Sequence, residues 1–305
     1  MTDLEVRRPK FDFSQDVPWL WNPDSPAFSF SMNATSMIAI GFEQMIVAAV
    51  QEARPLISDP TVEAEAMAFL RQEAQHSSTH RKHVSGLIRR YPGLQETFDE
   101  MLASFDDVTA NRSLEFRLAY VADTEATFTP SFKLMLDNEE TLFRPGDERV
   151  ASLFLWHFVE EVEHRSSALV IYDAVVGKPW YRMRALPAIF RHLLEVAAII
   201  ADGVNAHVPL EDRKVDARTF LPAFNIRNAL RQKMSFGRLD GAAIPPAFEG
   251  VPRREKFIAV ARVLMSQTPF HNPAHEPLPT FADEWFDRWD RGEDVTRWYS
   301  AERAG

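Results

Sequence analysis

Cysteine is absent from the 305 residues of this chain, which excludes disulfide bridges, cysteine-bound zinc, iron–sulfur clusters and thiol nucleophiles. A bound metal ion therefore needs histidine and carboxylate ligands. Positive charge is scarce too, since 34 Lys and Arg residues stand against 44 Asp and Glu residues and the net charge is −10. An acidic surface repels phosphate backbones and anionic lipids, so we expect no nucleic-acid partner and no membrane partner.

Segments that direct a chain to or through a membrane are not evident in the sequence. Residues 1–10 lack the apolar core of a signal peptide, and apolar stretches such as Val196–Ile200 are far shorter than a membrane span. We therefore expect a cytoplasmic protein.

Glycine is also scarce, at 11 residues, and few segments alternate apolar and polar residues as half-buried strands do. The sequence predicts an all-α protein. With 46% hydrophobic residues it can form one large core, so we expect a single helical domain over residues 1–305.

Prolines and turn residues divide this domain into three parts. Four prolines among aromatic residues predict an extended N-terminal arm over residues 1–30. Breaks at Pro55, Pro92 and Pro145 then separate a four-helix core within 31–180, whose long helices are predicted at 31–52, 61–90, 113–136 and 148–175, with a shorter helix at 94–105. Residues 181–305 are predicted to form additional helices and loops, with helical runs at 181–205, 220–233, 254–266 and 280–289.

Two short motifs carry the candidate chemistry: Glu73-Ala-Gln-His76 in the second long helix and Glu161-Val-Glu-His164 in the fourth. Residues three apart on a helix share a face, so each Glu and His can bind one metal ion. One such pair is expected by chance in an acidic chain with nine histidines. The signal lies in the two additional glutamates, Glu43 and Glu125, in the middle of the first and third long helices.

Helix geometry places these glutamates level with the motifs. Glu43 lies about 14 Å before the turn between the first two long helices, and Glu73 lies about 18 Å after it. Glu125 lies about 17 Å before the turn between the last two long helices, and Glu161 lies about 20 Å after it. Two hairpins that each supply a Glu and a Glu-x-x-His form the dinuclear carboxylate site of ferritin-like bundles. The predicted fold is therefore a ferritin-like four-helix bundle core with additional C-terminal helices, and the predicted metal ligands are Glu43, Glu73, His76, Glu125, Glu161 and His164.

Further polar residues share these helical faces. His80 and His157 lie one turn beyond the motifs, and we expect them to act in catalysis or to hydrogen-bond to ligands, although either could be an additional ligand. Glu160 competes with Glu161 as a ligand, because it lies four residues before His164. The remaining candidates have other predicted roles: Asp123 orients a histidine, Glu163 is solvated and His83 is structural.

The string Trp156-His157-Phe158-Val159-Glu160-Glu161-Val162-Glu163-His164 resembles a bacterial family of predicted metal-dependent hydrolases, and through it trans-dienelactone hydrolase. Four further strings are similar to that family as well: Gln72-Glu73-Ala74-Gln75-His76, Gly41-Phe42-Glu43, Thr124-Glu125-Ala126-Thr127 and the opening Val6-Arg7-Arg8. The resemblance covers roughly the first 180 residues. Near the C-terminus, Pro269-Phe270-His271-Asn272-Pro273 only approximates the Gly-Phe-His-Pro-like string of the family. The resemblance implies hydrolysis by a metal-bound water.

Two functions remain open on this basis. Four carboxylates and two imidazoles suit two transition-metal ions, iron first, with manganese or zinc as alternatives. Iron favours a di-iron oxidase or monooxygenase acting on a small organic substrate, which we rank first because this helical ligand pattern is associated with di-iron proteins. The alternative is a hydrolase of an ester or lactone. The expected partners are a small-molecule substrate, O₂ and an electron donor for the oxidase, and a second copy of the chain in a homodimer. A storage or purely structural metal site is a third interpretation.

Overall fold

A computed structural model describes residues 4–221 and 246–301, and the regular structure in these ranges is helical, with no strand. The prediction of an all-α protein is confirmed for this part of the chain. The helices are α1 (Pro26–Ala53), α2 (Pro60–Arg90), α3 (Leu94–Asn111), α4 (Leu114–Leu136), α5 (Glu139–Leu142), α6 (Glu148–Glu163), α7 (Ser167–Val175), α8 (Pro179–His207), α9 (Leu210–Arg213), α10 (Arg253–Ser266), α11 (Thr280–Asp290) and α12 (Trp298–Ala301). A ferritin-like bundle type stays a prediction.

Helix α1 begins five residues before its predicted start at residue 31. Ser25 caps it by accepting a hydrogen bond from the backbone N–H of Phe28, and Pro26 occupies the first turn, where its missing N–H costs nothing. The extended arm is correspondingly shorter than the predicted residues 1–30. Asp59 and Pro60 start α2 in the same way.

The largest departure concerns the predicted helix over 148–175. It is two helices, because α6 ends at Glu163 and α7 begins at Ser167. His164 caps the C-terminus of α6 with a backbone conformation outside the helical region. The second departure is α3, which continues to Asn111 instead of ending at residue 105. The predicted helix over 220–233 lies, from residue 222 onward, outside the described residues.

The long helices pack around a common interior. Helix α1 contacts α2, α3 and α4, while α6 contacts α4 and α2. Helix α1 is long and apolar enough in composition to cross a membrane, but 72% of its most apolar window is buried inside the fold. Its apolar residues are thus accounted for by packing against the neighbouring helices.

Residues 4–25 contain no helix and pack along the helical body through aromatic side chains. Phe11, Phe13, Trp19 and Trp21 are all buried. The ring of Phe11 lies 5.6 Å from that of Trp156, one residue before His157. This segment therefore covers the outer side of α6 at the level of the candidate site.

Candidate metal centre

The six predicted ligands come from four helices and meet in the interior. Helix α1 supplies Glu43, α2 supplies Glu73 and His76, α4 supplies Glu125, and α6 supplies Glu161, with His164 directly after it. Each side chain belongs to a residue that is at most 2% exposed. Such burial of four carboxylates is costly unless cations or hydrogen-bond donors compensate it.

Two overlapping groups of residues could each hold a metal ion. The first contains Glu43, His76, His157 and Glu161, and the second contains Glu73, His76, Glu161 and His164. Within a group, one ligand atom of each residue lies within 4.8 Å of the others. Five of the six predicted ligands are thus brought together, and His157 joins them as an additional member.

Glu161 lies at the centre of the two groups. Its Oε1 is 2.8 Å from Nε2 of His157 and 3.3 Å from Nδ1 of His76, and its Oε2 is 3.4 Å from Nε2 of His164. A carboxylate whose two oxygens face opposite sides can bridge two metal ions. Of the two glutamates in the Glu-x-x-His motifs, Glu161 belongs to both groups and Glu73 to one.

Glu73 and Glu125 lie on the His164 side of the cluster. Glu73 Oε1 is 3.3 Å from His164 Nε2 and 3.9 Å from His76 Nδ1. Glu125 belongs to neither four-residue group, but its Oε2 lies 3.8 Å from His164 Nδ1. Its role as a ligand stays a prediction.

The donor set fits a metal ion because its polar atoms are otherwise unpaired. Within the described residues, a series of buried atoms at the site has no hydrogen-bond partner: Glu43 Oε2, both Glu73 oxygens, His76 Nδ1, Glu125 Oε1, Glu161 Oε2 and both His164 nitrogens. Buried polar atoms in folded proteins are almost always paired. A cation bound among them would satisfy carboxylate oxygens and imidazole nitrogens together.

The pKa shifts of the four buried carboxylates also indicate that cations bind among them. Burial, reinforced by neighbouring carboxylates, raises the pKa values of Glu43, Glu73 and Glu125 well above their usual range. Burial also opposes the charge of Glu161, but His164 and the other histidines outweigh it and hold its pKa well below that range. In the described part of the chain, no Lys or Arg forms an ion pair with these four carboxylates. A metal ion would supply the missing positive charge.

Glu160 is placed to orient a histidine. Its Oε2 is 2.9 Å from His76 Nε2, so the other nitrogen, Nδ1, faces the cluster. Burial disfavours the charged form of His76, but Glu160 and Glu161 outweigh it and raise its pKa to about 10. Binding of a metal at Nδ1 must therefore release a proton from His76.

Arg7 and Glu163 extend this network outward, and sequence reasoning missed the contribution of Arg7. Arg7 Nη1 donates to Glu160 Oε1 at 3.4 Å, and its two Nη groups donate to both oxygens of Glu163 at 2.9 and 3.1 Å. Gln72 Nε2 also donates to Glu163 at 2.9 Å. Glu163 was expected to be solvated; that prediction is wrong, because its side chain is 13% exposed and pairs with Arg7.

A second buried network leads from the cluster toward α1. His157 Nδ1 lies 2.8 Å from His80 Nε2, and Ser36 Oγ lies 2.8 Å from both His80 Nδ1 and His83 Nδ1. Burial, followed by the charge of His76, lowers the pKa of His157 to about 4. Ser36 was not among the predicted site residues, although its position two helical turns before Glu43 puts it on the same face of α1.

Asp123 does not orient a histidine, contrary to expectation. Its Oδ1 accepts a hydrogen bond of 2.8 Å from Arg182 Nε in α8, and both side chains are almost fully buried. Arg182 Nη2 also donates to the carbonyl of Ser266 at the end of α10. The ion pair therefore ties α4 to the two later helices.

Two adjoining cavities lie next to the cluster, and the inner one reaches it. The inner cavity, of about 310 Å³, is lined by Glu43, Glu73, His157 and Glu161 on one side and by apolar residues on the other. The outer cavity, of about 540 Å³, shares four lining residues with it: Thr124, Thr127, Ser131 and Leu193. Carboxylates and a histidine thus border space that a small molecule can enter.

A family model described as predicted metal-dependent hydrolase matches residues 5–239 of the chain. The matched range includes the six predicted ligands together with His80, His157 and Arg7. No curated protein and no solved structure matches the chain.

Proposed function

Because the chain belongs to the family of predicted metal-dependent hydrolases, we propose that its buried cluster hydrolyses an ester or a lactone. The observation that carries the proposal is the joint position of the metal-binding groups and His157 at one wall of the inner cavity. We prefer this function to a di-iron oxidase because the family of the chain is described as one of metal-dependent hydrolases.

We assign one metal position to each group, with Glu161 shared between them. Glu43, His76 and Glu161 would hold one ion and Glu73, His164 and Glu161 the other, with Glu125 beside His164 and His157 beside the first ion. Bound divalent ions supply a water of lowered pKa and a Lewis acid for the carbonyl oxygen. Iron remains our first expectation for the metal, with manganese and zinc as alternatives.

Hydrolysis also needs a group that moves a proton, and the cluster offers imidazoles. In the reaction, the oxygen of water bonds to the acyl carbon, the acyl–oxygen bond breaks, and the leaving alkoxide takes a proton. A histidine that is neutral at pH 7 can accept the proton of water and return it to the alkoxide. His80 has no position in either metal group and is buried behind His157, and burial keeps its pKa well below the usual value, so it is neutral when the reaction begins.

The proton path runs through His157. His80 Nε2 contacts His157 Nδ1, while His157 Nε2 faces the two carboxylates Glu161 and Glu43 at 2.8 and 3.4 Å. His157 therefore connects His80 to the cavity wall. We assign to His157 the transfer of the proton from the reacting water to the alkoxide, and to His80 the tuning of the proton affinity of His157.

The decisive experiment compares metal and oxygen dependence. Protein stripped with a chelator is reloaded with Zn²⁺, Mn²⁺ or Fe²⁺, and hydrolysis of a p-nitrophenyl ester and of an aryl lactone is followed with and without O₂. We expect turnover that requires metal, survives with zinc and is unchanged without O₂. Glu43→Gln should lose it, whereas Glu63→Gln, a change on the exposed start of α2, should not. Turnover that requires O₂ and iron would instead establish the oxidase.

A further inference from the structure

We propose that the substrate is an uncharged ester or lactone carrying an elongated apolar chain, and that this chain occupies the outer cavity while the carbonyl lies at the metal cluster. The inference rests on the proposed function and adds the substrate class. It is based on the position of the two cavities and on the polarity and charge of the residues that line them.

The inner cavity has a rigid aromatic wall opposite the cluster. Phe42, Phe128 and Phe132 line it, the rings of Phe42 and Phe128 meet edge to face at 6.2 Å, and those of Phe128 and Phe132 stack at 4.8 Å. Phe132 is stacked in turn on the buried ring of Phe158 at 3.9 Å. Held in this way, the rings leave the substrate an apolar wall close to the reacting carbonyl.

The outer cavity continues this wall away from the metal cluster. Leu193 of α8 lines both cavities and faces Ser131 and Thr127 of α4, so the passage between the cavities runs between these two helices. Beyond it the lining is mainly aliphatic, from Leu186, Pro187, Ile189, Val263 and Leu264. A ligand that extends from the cluster must pass Leu193 and enter this aliphatic space.

The charge of the walls selects against an anionic chain. No lysine or arginine is among the described residues that line either cavity. The one acidic residue of the outer lining, Asp123, is paired with the buried Arg182. A carboxylate on the substrate chain would therefore lose its hydration without gaining a cationic partner, which is costly in a mainly apolar cavity.

The rim of the outer cavity is apolar as well. Phe190 and Leu264 line it, and they remain 58% and 68% exposed. Contiguous exposed apolar surface beside a concave site is a feature of ligand-binding grooves. The rim thus matches the chemistry of the walls behind it.

The first test measures binding without turnover. Metal-stripped protein is titrated by calorimetry with alkan-1-ols of four to twelve carbons and with the matching alkanoates. We expect the affinity for the alcohols to rise roughly two- to fourfold per added methylene. The alkanoates should bind at least tenfold more weakly at equal length. Equal or tighter binding of the alkanoates, or no dependence on length, would overturn the inference.

Variants at the passage localise the effect. Leu193→Trp should block the outer cavity and remove the length dependence beyond short chains, while its neighbour Leu194→Trp, which lines neither cavity, should keep it. Ser131→Phe narrows the passage from the opposite helix and serves as the second variant if Leu193→Trp does not fold. Full retention of length dependence in both folded passage variants contradicts the proposed path.

The second test separates failure of the inference from failure of the proposed function. The zinc-loaded enzyme is assayed with p-nitrophenyl esters of two to twelve carbons. We expect kcat/KM to increase with chain length in the unchanged protein and to increase little in Leu193→Trp. Metal-dependent hydrolysis that is fastest with the acetate ester would contradict the proposed substrate class but not the hydrolase function. If no ester is hydrolysed but the alcohols bind with an affinity that depends on chain length, the proposed hydrolase function is wrong and the assignment of the cavity is retained.

Discussion

Nε2 of His80 lies 2.8 Å from Nδ1 of His157, and this contact fixes how protons can be distributed along a buried chain of four residues. If His157 carries its proton on Nδ1, it donates to His80, His80 donates to Ser36, and Ser36 donates to His83. If His157 carries its proton on Nε2, every one of these bonds reverses. Both arrangements pair all the intervening atoms, so the state of His157 is linked to that of His83.

Replacement of His80 by glutamine is the first prediction. The change removes the imidazole behind His157 and leaves the cluster residues in place, so we expect the metal content to stay at the unchanged level and kcat to fall about 10- to 100-fold. The measurement combines metal analysis with steady-state hydrolysis. Ser36→Ala cuts the chain one link further from the cluster and should have a smaller effect on kcat. An unchanged kcat in His80→Gln would show that His80 does not act through His157.

The second prediction concerns Glu73, whose two oxygens have no hydrogen-bond partner within the described residues. Glu73→Gln removes a carboxyl group whose ionisation burial disfavours, so the metal-free protein should become more stable by about 1–3 kcal/mol. The same variant should lose most of the stabilisation that added metal gives the unchanged protein. Chemical denaturation with and without metal measures both effects. A metal-free variant that is less stable than the unchanged protein would count against an uncompensated carboxylate.

The third prediction is a pH dependence caused by His83. Burial lowers the pKa of His83 to about 3, although the charge of Asp147 opposes this shift. Between pH 6.5 and about 3, His83 is protonated in the unfolded chain and neutral in the folded protein. The free energy of unfolding therefore falls as the pH drops through this range. The loss from His83 amounts to up to about 5 kcal/mol.

Denaturation at pH 7.5 and at pH 5 tests this assignment. His83→Gln removes the titrating group, so the difference in unfolding free energy between the two pH values should shrink by about 2 kcal/mol. The exposed His275, for which the same substitution is made as a control, should leave the difference unchanged. An equal pH dependence in His83→Gln and the unchanged protein would contradict the assignment.

The fourth prediction concerns the buried pair of Asp123 and Arg182. Arg182→Met leaves the Asp123 carboxylate unpaired in the interior and should destabilise the protein by about 3–5 kcal/mol. The double variant with Asp123→Leu removes both charges and should recover most of that loss. Thermal and chemical unfolding of Arg182→Met, Asp123→Leu and the double variant gives the coupling free energy. If the double variant is no more stable than Arg182→Met, the ion pair is not the source of the effect.

Much of this architecture can be predicted because its signals are local. Proline and capping residues mark the start of α2, and the Glu-x-x-His spacing places two ligands on one helical face. The end of α6 at Glu163 has no such signal, since neither glycine nor proline follows, and His164 ends the helix through its surroundings. The sequence pattern therefore predicts one helix where there are two.

Contacts between distant residues have no local signal at all. Nothing near Arg7 indicates that it pairs with Glu160, and nothing near Asp123 indicates Arg182. The competition between Glu160 and Glu161 is decided by the direction of each side chain in the packed helix. One faces His76 Nε2 and Arg7, and the other faces the cluster.

The order of synthesis delays the pairing of Arg7 with its two glutamate partners. Its partners Glu160 and Glu163 follow it by 153 and 156 residues, so at about 5–20 residues per second the N-terminal segment waits roughly 8–30 s for them. During that time Phe11 also lacks Trp156, the ring against which it packs. The N-terminal segment thus completes this packing only after α6 has been made, and until then the nascent chain exposes its aromatic side chains.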